Sequence, residues 1–278
     1  MGNVLQKLDE NGLYFHHILD VSPDADYYHM HAHEHYELFI LISGKGTFMI
    51  EGSEYSLEPG CVFIMRPAEV HRVIIDPAHQ YERIVFEFSP SAISSLDPSG
   101  SLLTAYNARG LGEKNKYPRR LFPRALTDYI AEASNSGISG DSLHFAVITT
   151  LVNFLNHINR SFSCPDEAVP ASHYDVTKEL VEYINNHLFE DLSLSSLCSH
   201  FYMSDSHLGR LFKAATGCSI AKYISIKRLL EARKKISDGS PAVTAAKECG
   251  YNDYSAFYRA YVKRFGESPC RSQPCQNE

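Results

Sequence analysis

The chain has 278 residues, 44% of them hydrophobic and 21% charged, which supplies enough apolar content for about two cored domains and excludes wholesale disorder. No apolar run reaches the roughly 18 residues of a membrane helix, the N-terminus lacks a signal-peptide h-region, and the seven cysteines form no Cys-x-x-Cys pair; a reduced, cytoplasmic protein without a membrane partner is expected. The net charge of −7 is uneven: residues 1–173 carry 12 Lys and Arg against 21 Asp and Glu, whereas residues 204–271 carry 13 against 6, which points to a polyanionic partner for the C-terminal part.

Residues 35–90 read as short strands rich in Ile, Val, Phe and Tyr, separated by Gly44-Lys45-Gly46, Gly52-Ser53, Pro59-Gly60 and Asp76-Pro77. Spacing of about ten residues predicts a sandwich or barrel. After Pro118 the pattern becomes helical, first over 121–135 and then from Asp141 to Ile158. The second segment carries an apolar stripe of Leu143, Val147, Leu151, Phe154, Leu155 and Ile158, which suits either a core face or, the reading adopted, a seam between two chains. Residues 163–173 (SCPDEAVPASH) are Pro-rich and aperiodic, as in an interdomain linker. The remainder is helical.

Within that remainder Ser193 can cap a short helix bearing Leu194, Leu197, Cys198 and Phe201. Ser204 can cap the next, which buries Leu208, Leu211, Phe212 and Ala215 and stops at Gly217. Its other face shows Ser206, Gly209, Arg210 and Lys213. Two short helices, a tight turn and a basic outer face match a helix-turn-helix. The unit recurs: Asp253–Gly266 repeats Ser204–Gly217, pairing Leu208 with Phe257, Arg210 with Arg259 and Phe212 with Tyr261, while a helix from about Ile220 to Ser237 joins the copies.

The segment YINNHLFEDLSLSSLCSHFYMSDSHLGRLFKAATGCSIAKYI, followed by KRLLEARKKI and AAKECGYNDYSAFYRAYVKRFGESP, closely resembles the AraC/XylS-type DNA-binding domain. The resemblance implies seven helices and two recognition helices that enter adjacent major-groove segments of double-stranded DNA. It places the DNA-reading positions on Ser206, Gly209 and Arg210 in the first unit and on Tyr254, Ser255 and Arg259 in the second, with Lys213 as an added phosphate contact. Gly209 offers no side chain to a base. Val262 stands where the family carries a basic residue, and the closing segment reads Ser268, Pro269, Cys270, Arg271, Ser272, Gln273, so a weaker phosphate grip is expected of the second unit.

Nearer the N-terminus, His31, His33 and Glu37 form His-x-His-x3-Glu; Gly44, Pro59-Gly60 and His71 follow. This resembles the two cupin motifs, and regulators of the AraC type often carry the signature in a sensory barrel. In metal-binding cupins the positions equivalent to His31, His33, Glu37 and His71 hold a divalent ion, for which three imidazoles and a carboxylate suit Zn, Mn, Fe or Ni. In sensory barrels they contact an organic effector, and His31, His33, Tyr36, Glu37, Arg66 and His71 are the effector residues expected here, with Glu69 and Arg72 near the mouth. Ala25, Glu69 and Ile75 depart from the cupin pattern, so catalysis is not expected. With no Trp in the chain, sugar stacking would fall to Tyr or Phe.

The fold class expected is α+β: a cupin-like antiparallel β-barrel that binds the effector over 1–120, a helical dimerisation segment over 121–162, the linker, and an all-α AraC-type domain with two helix-turn-helix units over 174–273. The function expected is a cytoplasmic, homodimeric transcription activator that answers to a small molecule, a carbohydrate among the candidates, and works with RNA polymerase. It is expected to be no enzyme and to need no cofactor beyond a divalent metal at the cupin site. The rival is a metal-dependent cupin enzyme, an oxygenase or isomerase, joined to a DNA-binding domain.

Overall fold

The computed structural model describes residues 2–24, 28–163 and 175–270; Ala25, most of the linker and Arg271 to Gln273 lie outside these. The chain divides into two compact units, one of residues 1–29 with 35–172, the other of residues 30–34 with 173–278.

Among the described residues the first unit holds nine strands: β1 (Asn3–Glu10), β2 (Leu13–Asp20), β3 (Tyr36–Ser43), β4 (Gly46–Ile50), β5 (Ser53–Leu57), β6 (Val62–Met65), β7 (His71–Ile75), β8 (Tyr81–Phe88) and β9 (Lys116–Tyr117). They form a six-stranded sheet in the order β1-β2-β8-β3-β6-β9 and a three-stranded sheet in the order β5-β4-β7. Every pairing is antiparallel. The middle of strand β3 is buried on both faces, which the apolar run LFIL of Leu38–Leu41 requires. Phe39 and Leu41 pack with Phe48, Phe63, Met65 and Val85 in the core shared by the two sheets. Leu38 and Ile40 face the other way, into a second core with Phe15, Phe86 and Phe88.

That second core is closed by helices. Short α1 (Pro90–Ile93) and α2 (Thr104–Asn107) precede α3 (Ala125–Ala133) and the long α4 (Gly140–Phe162). Leu143, Val147, Leu151, Phe154, Leu155 and Ile158 are all buried in this core, against the outer face of the large sheet. The stripe read as a dimer seam is therefore an interior face: covering each such side chain is worth about 1.5–3 kcal/mol, and its own sheet already covers it. Strand β1 is joined to β2 through Asn11 and Gly12, both at positive φ.

The second unit contains α5 (Asp175–Asn186), α6 (Leu194–Phe201), α7 (Asp205–Thr216), α8 (Ile220–Ser237), α9 (Ala242–Glu248) and α10 (Tyr254–Phe265), six helices among the described residues. Leu229, Ala232 and Ile236 of α8 pack with Ala245, Ala246, Phe257 and Tyr261 to make the core of its second half. No helix among the described residues is long and apolar enough to cross a membrane.

Candidate DNA interface and effector site

Helices α7 and α10 have the same length, 12 residues, and the same ending: Gly217 at φ 76° and Gly266 at φ 74°. Each pins its inner face with fully buried side chains, Leu208 and Phe212 in one, Phe257 and Tyr261 in the other. Their starts differ. Ser193 caps α6 by accepting from the Ser196 amide, and Asp253 caps α10 by accepting from Ser255 and Ala256. Ser204 stands at the N-cap of α7 but makes no side-chain cap bond, contrary to expectation.

On α7, Ser206, Arg210 and Lys213 are exposed, and the Arg210 Nε donates to the Ser206 carbonyl at 3.2 Å. Gly209 is half-buried, with open space where a Cβ would point. On α10, Ser255 and Arg259 are exposed and Tyr254 is half-buried. Sequence reasoning missed His207, Tyr258 and Lys263, all exposed on the same two helices. Lys263 restores a cation one residue past Val262, so the second unit is not stripped of positive charge. It also missed Tyr202, 96% exposed at the α6–α7 turn with φ 53°. At the matching turn, 48 residues on, stands Gly250 at φ 80°.

In the first unit, strand alternation decides which side chains meet. Glu37 lies on the face of β3 that looks into the inter-sheet core, and β7 brings His71 to it, Nε2 to Oε2 at 3.3 Å, with both side chains almost fully buried. The His71 Nδ1–H donates to the Glu69 carbonyl at 2.8 Å, which fixes the ring and turns Nε2 toward Glu37. His33 falls in the segment 30–34 of the second compact unit, so within the first unit Glu37 and His71 are the members of the expected set that meet. His31 lies in that same segment; it is exposed, its ring 6.2 Å from that of His33.

Three further residues expected at the site lie elsewhere. Tyr36, next to Glu37, faces the opposite side of the sheet, where its ring stacks on Phe88 at 5.8 Å and its hydroxyl donates to Asn107 at 3.1 Å. Arg66 is turned aside, its Nη1 donating to the Arg109 carbonyl at 3.2 Å. Arg72 lies on the outer face of β7, its Nε buried and, among the described residues, without a hydrogen-bond partner.

Glu69 is a buried anchor. Arg109 grips both of its oxygens, Nη1 to Oε1 at 2.7 Å and Nη2 to Oε2 at 2.6 Å. The amides of Arg66 and Gly112 and the Asn115 side chain complete five hydrogen bonds. Burial alone would raise the Glu69 carboxyl; Arg109 and these donors outweigh it and bring it down to about 2.

Sequence reasoning also missed the wall beside Glu37. His16 pairs in register with Val85, and Arg83 and Tyr81 follow Val85 at alternate positions, so all three share the inward face. The Arg83 guanidinium lies over the rings of Tyr28 and Tyr81, 5.1 and 4.7 Å from their centroids. Burial, and then Arg83, push the His16 imidazole down to about 4, so it is neutral near pH 7. Period-two alternation from Val85 was the available signal.

A family model described as an AraC-like ligand binding domain matches residues 18–136, and one described as a helix-turn-helix domain matches residues 197–272. The chain belongs to the AraC family. It is thus a DNA-binding regulator with a ligand-binding domain. It is 22% identical to the HTH-type transcriptional activator RhaS of Pectobacterium carotovorum over 86% of this AraC-family chain and 85% of that one. It is 23% identical to the arabinose operon regulatory protein of Escherichia coli, over 84% and 78%.

Proposed function

We propose that this AraC-family chain activates transcription by placing α7 and α10 in successive major-groove segments, under control of a small molecule held between its two sheets. One observation carries the DNA half: two helices of equal length and equal ending present Arg210 and Arg259 at equivalent exposed positions. An Arg so placed can bond a guanine edge in two places, worth about 1–3 kcal/mol of discrimination. Ser206, Lys213, Tyr254 and Ser255 flank these arginines, with Gly209 as a close-approach point.

The expected footprint is two groove segments roughly 10 bp apart, an asymmetric site of about 20 bp per chain. Footprinting that finds one short palindrome overturns the reading. Lys213→Ala should weaken all sequences alike and lower the salt slope by about one, while Arg259→Ala should relax base preference; the reverse pattern, titrated at several salt concentrations, refutes the roles.

For the effector, Glu37, His71 and His16 offer hydroxyl partners, and Tyr28 and Tyr81 offer rings, which supports a carbohydrate-like ligand of the kind the arabinose relative's name states for that protein. The reading includes a cytoplasmic homodimer that works with RNA polymerase and turns over no substrate. Since the α4 stripe is internal, Phe145, 68% exposed on the outer face, is the residue whose change to Glu tests the dimer by sedimentation.

A second reading is favoured by one detail. A His71 that spends Nδ1–H on a carbonyl and points Nε2 at a carboxylate has the arrangement of a metal ligand. Glu37 and His71, with the His31 and His33 of the sequence motif, are the donors that a divalent ion such as Zn would take, and it would supply Lewis acidity there. Elemental analysis of protein purified without chelator decides: a full equivalent, lost in His33→Ala/His71→Ala, establishes the metal, and substoichiometric content sinks it.

A further inference from the structure

The outer side of the six-stranded sheet holds a cavity of about 310 Å³ that the Glu37–His71 pair does not use. Ile40 and Ile42 of β3, Phe122, Ile130 of α3 and Phe154 of α4 line it. Ile40 belongs to the core opposite the one that holds Phe39, so the sheet itself separates this cavity from Glu37.

One cation stands at its rim. The stem of Arg119 crosses Gly60 so closely that a Cβ added there would lie 2.6 Å from the Arg119 Cδ. Its Nη1 donates to the Phe122 carbonyl at 2.6 Å. Among the described residues its other guanidinium nitrogens have no hydrogen-bond partner, and no carboxylate pairs with it. A guanidinium remains protonated at any working pH. An apolar wall with a single unneutralised guanidinium is complementary to an apolar body carrying one anionic group.

Size and shape narrow the class. The volume equals about ten waters at roughly 30 Å³ each, which suits a body of about ten non-hydrogen atoms. The rings of Phe122 and Phe154, 5.2 Å apart and tilted at 44°, leave edges and faces that a flat ring can meet. We propose that this cavity is a second small-molecule site, specific for an aryl-alkanoate whose carboxylate pairs with Arg119. Its walls come from β3, α3 and α4 together, so occupancy braces the helix pair against the sheet.

Calorimetry of the full chain with 3-phenylpropionate, and with neutral 3-phenylpropanol as control, tests this. Saturable binding of the acid is expected. Arg119→Gln should cut its affinity on the order of ten- to a hundred-fold, the worth of a charge-assisted hydrogen bond, and change the alcohol's by less than about twofold. Ile130→Trp, which fills the cavity, should abolish binding of both, whereas Glu37→Ala/His71→Ala should leave both intact. If Ile130→Trp does not fold, the acid-against-alcohol contrast in Arg119→Gln decides alone. No saturable binding by the unaltered chain, an equal loss for acid and alcohol in Arg119→Gln, or loss in the Glu37/His71 variant overturns the proposal.

Discussion

Arg109→Met is the sharpest perturbation of the ligand-binding unit. It leaves the Glu69 carboxyl among three remaining donors, the Arg66 and Gly112 amides and Asn115, with no cation. Glu69 and Arg109 side chains are both wholly inaccessible, so solvent cannot replace the lost partner. Removing one member of such a pair costs about 3–5 kcal/mol. For a unit of this size that lowers the melting temperature by roughly 6–20 °C. The pH dependence carries the sign. In the unaltered chain Glu69 is depressed, so its contribution is complete above the unfolded carboxyl's usual value near 4.5 and fades only as pH falls toward 2. In Arg109→Met burial prevails and the carboxyl rises, so the variant loses stability as pH increases through that raised value. The gap between the two proteins should thus be wider at pH 7.5 than at pH 5. Calorimetric melting at both pH values checks this. A gap below about 1 kcal/mol, or one equal at the two pH values, refutes the account of Glu69 as a charge held by Arg109.

Tyr202→Gly should stabilise the DNA-binding unit by about 0.5–1 kcal/mol, because the αL backbone at this exposed residue suits glycine, as at Gly250; urea denaturation reads the gain. The two N-caps should respond unequally. Asp253→Ala should cost about 0.5–2 kcal/mol, since two amides lose their acceptor, while Ser204→Ala should cost less than about 0.5 kcal/mol because its side chain caps nothing; equal losses would contradict the geometry.

Much of the DNA-binding unit was legible because its information is local. Caps, αL glycines and the 3.6-residue spacing of Leu208, Phe212, Phe257 and Tyr261 lie within single helices, and the internal repeat doubled each signal. In the ligand-binding unit the information is partly long-range. Glu69 and Arg109 stand 40 residues apart, and nothing between them announces the pair. Strand β1 was missed because it is an exposed edge strand without apolar alternation, although Asn11-Gly12 is a hairpin signal. Tyr36 was grouped with Glu37 against the two-residue period of its own strand. The α4 stripe showed that a face is covered but not by what: a sheet and a partner helix demand the same apolar spacing.

The Arg228 guanidinium ties the two helix-turn-helix units together. From α8 it donates to the carbonyls of Leu188 and Glu190 ahead of the first helix-turn-helix and to that of Gly250 at the turn of the second, at 2.7–2.9 Å. One side chain thereby staples the two halves at fixed separation. Duplex DNA turns by about 34° per base pair, so adding a single base pair between the two groove segments swings one of them out of phase. A jointed reader could pivot to follow that swing. A stapled one must bend the duplex or let go of one segment, so the operator's internal spacing is held as strictly as its letters.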